Sequence, residues 1–420
     1  MNSIDRRDFL KKAALGMASG VAMGQIGNAQ SAAPAKTATN PGVAPDASPK
    51  PAYDRKIKLG LVGCGGRGSW IAKLFLAHGG YELHAVADYF EATAQKWGDE
   101  LGVDKSRRFS TLSGYKRLIE SGVEAVALEL PPYFFSEIAR ACVDAGLHVY
   151  MAKPIAADVP GCLAIKEAAK IATDKKQCFL VDYQMPTDPE NIEVRKRIQG
   201  PGFGKVSQVQ TFGVSGGFAD PPYSATIEDR LFGLKWVNQI SLGCDLIGNF
   251  DIHAIQTALW ALGRSPVAAV GASQRCRPDP HGDSRDVCSV VYEYADGLVH
   301  NHFGQALKNQ AKGALVCTIN GQHGFGTLNY WGKAEFRSAD DTFVKDVVNL
   351  YEAGVVRNID TYYHNITESR FENDTVPLAV ESVLTCILGR EAAARRERLT
   401  MQQILAENKR LEVDLRGLKT

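Results

Sequence analysis

From Ile57 onward, short apolar runs alternate with amphipathic stretches. Ile57-Lys58-Leu59-Gly60-Leu61-Val62 is the kind of run a buried parallel strand shows, and it ends at a glycine turn. Strand-like runs follow over 81–87, 123–130, 148–151 and 177–183, interleaved with helical periodicity over 69–78, 90–101, 134–145 and 158–173. Such alternation predicts βαβ units wound into a parallel sheet. After about residue 186 the pattern changes to longer strand-like segments over 204–214, 267–273, 287–294, 298–305 and 314–319. Ala295-Asp296-Gly297 supplies a hairpin turn between two of these strands. Helical stretches flank them at 248–262, 359–370, 378–394 and 401–410. The expected fold is therefore α/β: a doubly wound parallel sheet over 54–185, then an α+β domain over 186–420 with an open antiparallel sheet and helices on one face.

The first residues follow a different logic. Arg6-Arg7-Asp8-Phe9-Leu10-Lys11-Lys12, a mild apolar stretch over 13–24 and Gly27-Asn28-Ala29 before Gln30 make residues 1–29 a twin-arginine export signal in expectation. The chain would then work in the periplasm or outside the cell. Residues 30–53, rich in Ala, Pro, Thr and Ser, have too little apolar surface to offset their ordering entropy and read as a linker. No apolar run reaches the roughly 20 residues of a membrane-spanning helix, so no membrane association is expected once the signal is removed. With 48 Lys+Arg against 47 Asp+Glu, the bulk field would not gather nucleic acid, and a small molecule is the expected partner. The 9 cysteines show no CxxC and no paired metal-type spacing, so no metal is expected. Such a set suits a chain that folds in a reducing cytoplasm before export. At most Cys276 and Cys288 would bridge, the others being small core residues.

Gly63-Cys64-Gly65-Gly66-Arg67-Gly68 is GxGxxG between the first strand and the first helix, and Asp88 closes the second strand. In this setting Gly63 permits the tight turn, Gly65 lets a pyrophosphate approach the backbone, and Gly68 lets helix and strand pack closely, with Gly66 and Arg67 in the same cofactor-binding loop. The anion would sit at the helix N-terminus, where free N–H groups and the dipole favour negative charge. Asp88 would accept from the adenosine-ribose hydroxyls and repel a 2′-phosphate, which points to NAD; Arg67 keeps NADP open.

These motifs, together with 145–154 (Ala-Gly-Leu-His-Val-Tyr-Met-Ala-Lys-Pro) and 248–253 (Gly-Asn-Phe-Asp-Ile-His) running into Trp260, resemble the glucose-fructose oxidoreductase and inositol dehydrogenase family, Gfo/Idh/MocA, over about 56–405. The resemblance implies a Rossmann domain and an α+β domain whose sheet face makes homo-oligomers. It also implies hydride transfer between NAD(P) and a sugar or polyol. Lys153 stands in the family's Glu-Lys-Pro motif and by resemblance contacts nicotinamide ribose and substrate hydroxyl, but Ala152 replaces the glutamate. His253 stands at the family's acid/base position, with Asn249 where an aspartate would orient it. Asp251, two residues from His253, faces elsewhere on a continuous helix, and only a helix start near Asp251 would let it help; Gln256 replaces a second aspartate. Pro131, in Leu130-Pro131-Pro132 with Phe135 beyond, keeps the bend beside the nicotinamide but makes that pocket more apolar. Tyr183, in Asp182-Tyr183-Gln184-Met185, is placed in the cleft, and Tyr223 and Trp236 lie in a loop that would cover a sugar.

Three functions fit. The first is an exported oxidoreductase acting on a sugar or sugar-like polyol, with a tightly bound cofactor cycled redox-neutrally. The second is an NAD-dependent glycosidase working by oxidation, elimination, hydration and reduction. The third is a non-catalytic sugar- or NAD-binding protein.

Overall fold

The apolar runs of the first half become six parallel strands: β1 (Ile57–Val62), β2 (Tyr81–Asp88), β3 (Arg108–Ser110), β4 (Ala125–Leu128), β5 (His148–Ala152) and β6 (Phe179–Asp182). The computed structural model describes residues 53–420 apart from 222, 224, 225 and 279, so the expected signal and the linker up to residue 52 lie outside the described residues. The strand order β3-β2-β1-β4-β5-β6 is that of two mononucleotide-binding halves meeting at β1 and β4, where ligands bind outside the carboxyl ends of the strands. Every residue of β4 and β6 is buried, as both faces of the sheet are covered.

Helices α1 (Gly66–His78), α2 (Glu91–Glu100), α3 (Gly114–Ile119), α4 (Phe135–Asp144) and α5 (Val159–Asp174) make the crossovers. α1 begins three residues before the apolar periodicity does, because the glycine loop is itself its first turn. At α5 the Asp158 side chain accepts from the N–H of Gly161 at 2.8 Å. α6 (Pro189–Ile198), which its largely polar sequence did not reveal, is capped in the same way by Asp188.

The second sheet has nine strands in the order β14-β13-β12-β11-β7-β10-β9-β8-β15. β7 (Val206–Ser215), β8 (Ala268–Gln274), β9 (Val287–Glu293), β10 (Val299–Ala306) and β11 (Ala314–Gly321) match the expected segments. β12 (Gly324–Asn329), β13 (Gly332–Ser338), β14 (Thr342–Val347) and the two-residue β15 (Leu399–Thr400) were not foreseen. The sheet is mixed, not purely antiparallel, because β7 and β10 run parallel. The Asp296-Gly297 turn joins β9 to β10 as expected, with Gly297 at φ +83.

Two short helices, α7 (Ile227–Leu231) and α8 (Ile240–Gly243), lead into a π-helical turn over Ile247–Asp251 and then α9 (Ile252–Leu262). α10 (Leu350–Thr367) packs on α1, α11 (Thr375–Arg395) lies against both α5 and β8, and α12 (Met401–Glu407) follows. α11 is buried on nearly every side, as a helix wedged between layers must be. One hydrophobic cluster runs through it from Val149 and Ile165 beside the first sheet to Val290 and Tyr292 in the second. All nine cysteines are free, Cys276 being exposed and Cys288 buried, so the possible bridge is not made. Among the described residues no helix is long and apolar enough to cross a membrane.

Candidate active site and cofactor cleft

At the end of β1, Gly63 turns the chain with φ +92, a conformation side chains disfavour. A Cβ on Gly68 would lie 1.8 Å from the Gly63 carbonyl oxygen, so only glycine lets the helix and the loop approach this closely. Gly65 and Gly66 are different: a Cβ there would meet nothing within 4 Å. Their faces open onto the α1 N-terminus, which has no side-chain cap and no acidic residue in its first turn. Free N–H groups, open space and an uncontested dipole suit a pyrophosphate. Asp88 accepts from the Cys64 N–H at 2.8 Å and from the Phe90 N–H at 2.9 Å, which ties the loop to the end of β2 and holds the carboxylate at its rim. Burial raises its pKa while those two backbone donors oppose the rise. The glycine loop and Asp88 thus fit a dinucleotide.

Arg67 points inward. Its Nε lies 3.0 Å from Glu129 Oε2, Nη2 donates to Asp182 Oδ2 at 2.5 Å, and Nη1 donates to the Tyr351 hydroxyl at 2.9 Å. Asn358 donates to the other Asp182 oxygen at 2.7 Å. Despite the ion pair, neither Glu129 oxygen has an aligned hydrogen-bond donor among the described residues. Burial raises the Glu129 pKa, with Arg67 opposing.

Lys153 follows β5 at the carboxyl edge of the sheet. Its ammonium donates to the backbone carbonyl of Asn249 at 2.6 Å, so Asn249 meets the lysine through its main chain. Burial and then Arg67 push the Lys153 pKa down, against Asp182 and Glu129, to about 7. No hydrogen bond joins the Asn249 side chain to His253; the π-turn that holds Asn249 breaks the four-residue spacing on which the expected pairing rested.

His253 is buried with its Nδ1 unpartnered. Burial, with the charges of Lys153 and Arg67, pushes its pKa well below the usual imidazole value, so it stands neutral and able to accept a proton. Tyr183 and Tyr330 meet its ring edge-on, with centroids 6.4 Å and 5.0 Å away. The Tyr183 hydroxyl is buried and unpartnered, as are both polar atoms of the Gln256 amide.

Some expectations fail. Trp236 packs against a cluster of Leu231, Leu242 and Leu418 that also carries Tyr89, Phe90, Tyr133 and Phe134 from just beyond β2 and β4. Tyr223 is 84% exposed, with His281 as its ring neighbour. Pro131 does open a bend, a turn of 3-10 helix, but Phe135 is wholly buried in the core.

The α-helix does start next to Asp251, at Ile252, yet the Asp251 carboxylate is taken by His302, whose Nε2 lies 3.0 Å away. The fold brings Asp251, Cys288 and His302 within 4.8 Å of one another, which separation along the sequence could not show. Glu129, Asp182, Tyr330, Tyr351 and Asn358 were missed as site groups. For the two acids a signal existed: each is a carboxylate at the carboxyl end of an apolar strand, where open α/β sheets bind ligands.

Residues 57–183 match the family described as "Oxidoreductase family, NAD-binding Rossmann fold", GFO_IDH_MocA. An inositol 2-dehydrogenase of Rhizobium meliloti (strain 1021) is 24% identical over 243 residues, covering 57% of this chain and 66% of its own length. The chain thus spans just under two thirds of that curated relative. A glycosyl hydrolase family 109 protein of Shewanella pealeana is 27% identical over 194 residues, 43% of this chain and 39% of its own. The solved structure of levoglucosan dehydrogenase in complex with NADH superposes with TM-score 0.69 at 18% identity, covering 83% of this chain and 99% of that one, and so shares its fold. The segment that carries the glycine loop, Asp88, Glu129, Lys153 and Asp182 is thus similar to the NAD-binding Rossmann domain of that oxidoreductase family.

Proposed function

We propose that the protein is an exported NAD-dependent oxidoreductase of a sugar or sugar-like polyol, which keeps its cofactor bound through a redox-neutral cycle. The observation that carries this reading is the meeting of Lys153 and the neutral, unpartnered His253 at the carboxyl edge of the sheet that holds the glycine loop. The pyrophosphate would lie against Gly65 and Gly66, the adenosine ribose at Asp88, and the nicotinamide end beside Pro131 and Lys153. Bound there, the cofactor supplies a hydride acceptor and, in the return step, a hydride donor. His253 takes the proton of a carbinol hydroxyl while Lys153 donates to its oxygen and stabilises the charge that develops there. On the second substrate the same groups hand the proton back.

Arg67 is engaged by Glu129, Asp182 and Tyr351, which leaves Asp88 to face the ribose and favours NAD over NADP. Retention is supported by the chain terminus. The N–H of Leu112 donates to the Lys419 carbonyl at 3.0 Å, and Leu418 packs with Tyr89, Phe90, Tyr133 and Phe134 beside the adenosine end of the cleft. A twin-arginine leader fits a protein that is loaded before export. The outer face of the nine-stranded sheet, where Phe212 and Phe303 sit in register and more than a third exposed, is the surface for a second copy.

The likeness to glycosidase-named relatives supports a second reading in the same site: oxidation of a ring carbinol acidifies the neighbouring C–H and allows elimination of the glycoside. A panel of aldoses, polyols and aryl glycosides separates the readings. Ketose or lactone formation supports the oxidoreductase, aglycone release without net NADH supports the glycosidase, and turnover of neither refutes both.

A further inference from the structure

Ala152 stands between two acids. β4 pairs with β5 so that Leu128 faces Met151, which brings the next residue, Glu129, alongside Ala152. On the other side β6 pairs Ala152 directly with Asp182. Both carboxylates are closed off from solvent, with side-chain exposures of 1% for Glu129 and 0% for Asp182. Asp182 is engaged by Arg67 and Asn358, and Glu129 is ion-paired to Arg67 Nε at 3.0 Å, although among the described residues neither of its oxygens has an aligned donor. An isolated buried carboxylate is costly and persists where a cation offsets it.

The charged side chains around Lys153 come from separate elements: Arg67 from α1, Glu129 from the end of β4 and Asp182 from β6. Cys386 on α11 and the neutral His253 on α9 complete the titratable groups facing it, and the Asn249 carbonyl takes its hydrogen bond. Arg67, Lys153, Glu129 and Asp182 thus make a closed quartet of two positive and two negative side chains. We propose that Glu129 is a positioning residue for Lys153, supplying from the neighbouring strand the counter-charge that Ala152 cannot, while Arg67 limits how much of that charge the lysine receives. The proposal rests on the reading of Lys153 as the group at the reacting hydroxyl. It makes the quartet the device that keeps a buried amine near the point of proton exchange: desolvation and Arg67 favour the neutral amine, and the two acids favour the ammonium.

The test titrates the lysine itself, without substrate. In the full-length protein labelled with 13C at lysine Cε, NMR follows each amine with pH, and Lys153→Arg identifies the resonance. Glu129→Gln keeps the shape and removes the charge, so the Lys153 midpoint should fall by about one pH unit, a tenfold loss of proton affinity. Arg67→Gln should move it upward. A midpoint that stays in place or rises in Glu129→Gln would overturn the proposal; should that variant not fold, a midpoint unmoved or lowered in Arg67→Gln does the same. A protein that turns over no sugar yet shows both shifts would refute the oxidoreductase reading and leave the pairing of Glu129 with Lys153 intact.

Discussion

Gly213 and Gly304 face each other across the parallel β7 and β10 pair, and the Asp251 carboxylate fills the notch they leave. A Cβ on Gly213 would come within 1.9 Å of Asp251 Oδ1, and one on Gly304 within 2.1 Å of Oδ2. From Asp251 a buried chain continues through His302 to the Thr211 hydroxyl at 2.9 Å and on to His300 Nε2 at 2.7 Å. This relay locks the π-turn just ahead of His253 onto the second sheet. Gly304→Ala should therefore cost about 3 kcal/mol or more in urea unfolding, through overpacking against a buried carboxylate. A midpoint equal to that of the parent would show that the notch is not tight.

The glycine loop separates folding from binding. Gly65→Ala places a methyl in open space on extended backbone, φ −61, so thermal stability should hold while NAD affinity falls about tenfold or more. Gly68→Ala drives a methyl into the Gly63 carbonyl and should lose stability and affinity together. Calorimetric titration with NAD beside a thermal melt reads both. Equal NAD affinity in Gly65→Ala and the parent would remove the pyrophosphate from this loop.

His253→Ala should cut turnover by about a hundredfold or more while the melting temperature changes little, because the imidazole Nδ1 supports no hydrogen bond in the fold. Initial rates on whichever sugar of the panel is turned over provide the check. Near-parental turnover would return His253 to a packing role.

Lys153 carries a pH signature. Its folded pKa lies below that of a free lysine, so between about 7 and about 10.4 the unfolded chain binds the extra proton, and stability rises with pH across that window. Relative to Lys153→Met, the parent should gain about 2 kcal/mol between about pH 7 and about pH 9. Denaturant midpoints across that range test the slope; parallel profiles for the two proteins would mean that the amine is solvated and unperturbed.

Strongly periodic elements were legible from the sequence, and elements whose order comes from neighbours were not. β1, β4 and β5 announce themselves as apolar runs, and the hairpin at Asp296-Gly297 by its turn chemistry. β12 to β14 do not: Gly324-Phe325-Gly326-Thr327 and Thr342-Phe343-Val344-Lys345 mix glycine and charge with few buried positions, and pairing within the sheet makes them strands. α10 begins nine residues before its apolar periodicity was recognised, on a first turn that includes exposed Tyr351. In the site, Gly63 and Gly68 were readable because the strand-to-helix turn has room only for glycine there, whereas Lys153 and His253 were singled out by resemblance to a family motif. Glu129 showed only as a carboxylate at the end of an apolar strand; its place beside Ala152 comes from the β4/β5 register. The Asn249 pairing failed because Asn249 sits inside a π-turn, Ile247–Asp251, which a count of four residues does not reveal.

The central claim is that a dinucleotide lies against the opening of α1 with its reactive end between Lys153 and His253. The most direct measurement is the nicotinamide released when the purified protein is denatured, compared with the amount of chain. The account predicts a stoichiometric quantity of NAD or NADH that survives gel filtration. Protein free of nicotinamide that also fails to bind added NAD in calorimetry would contradict it.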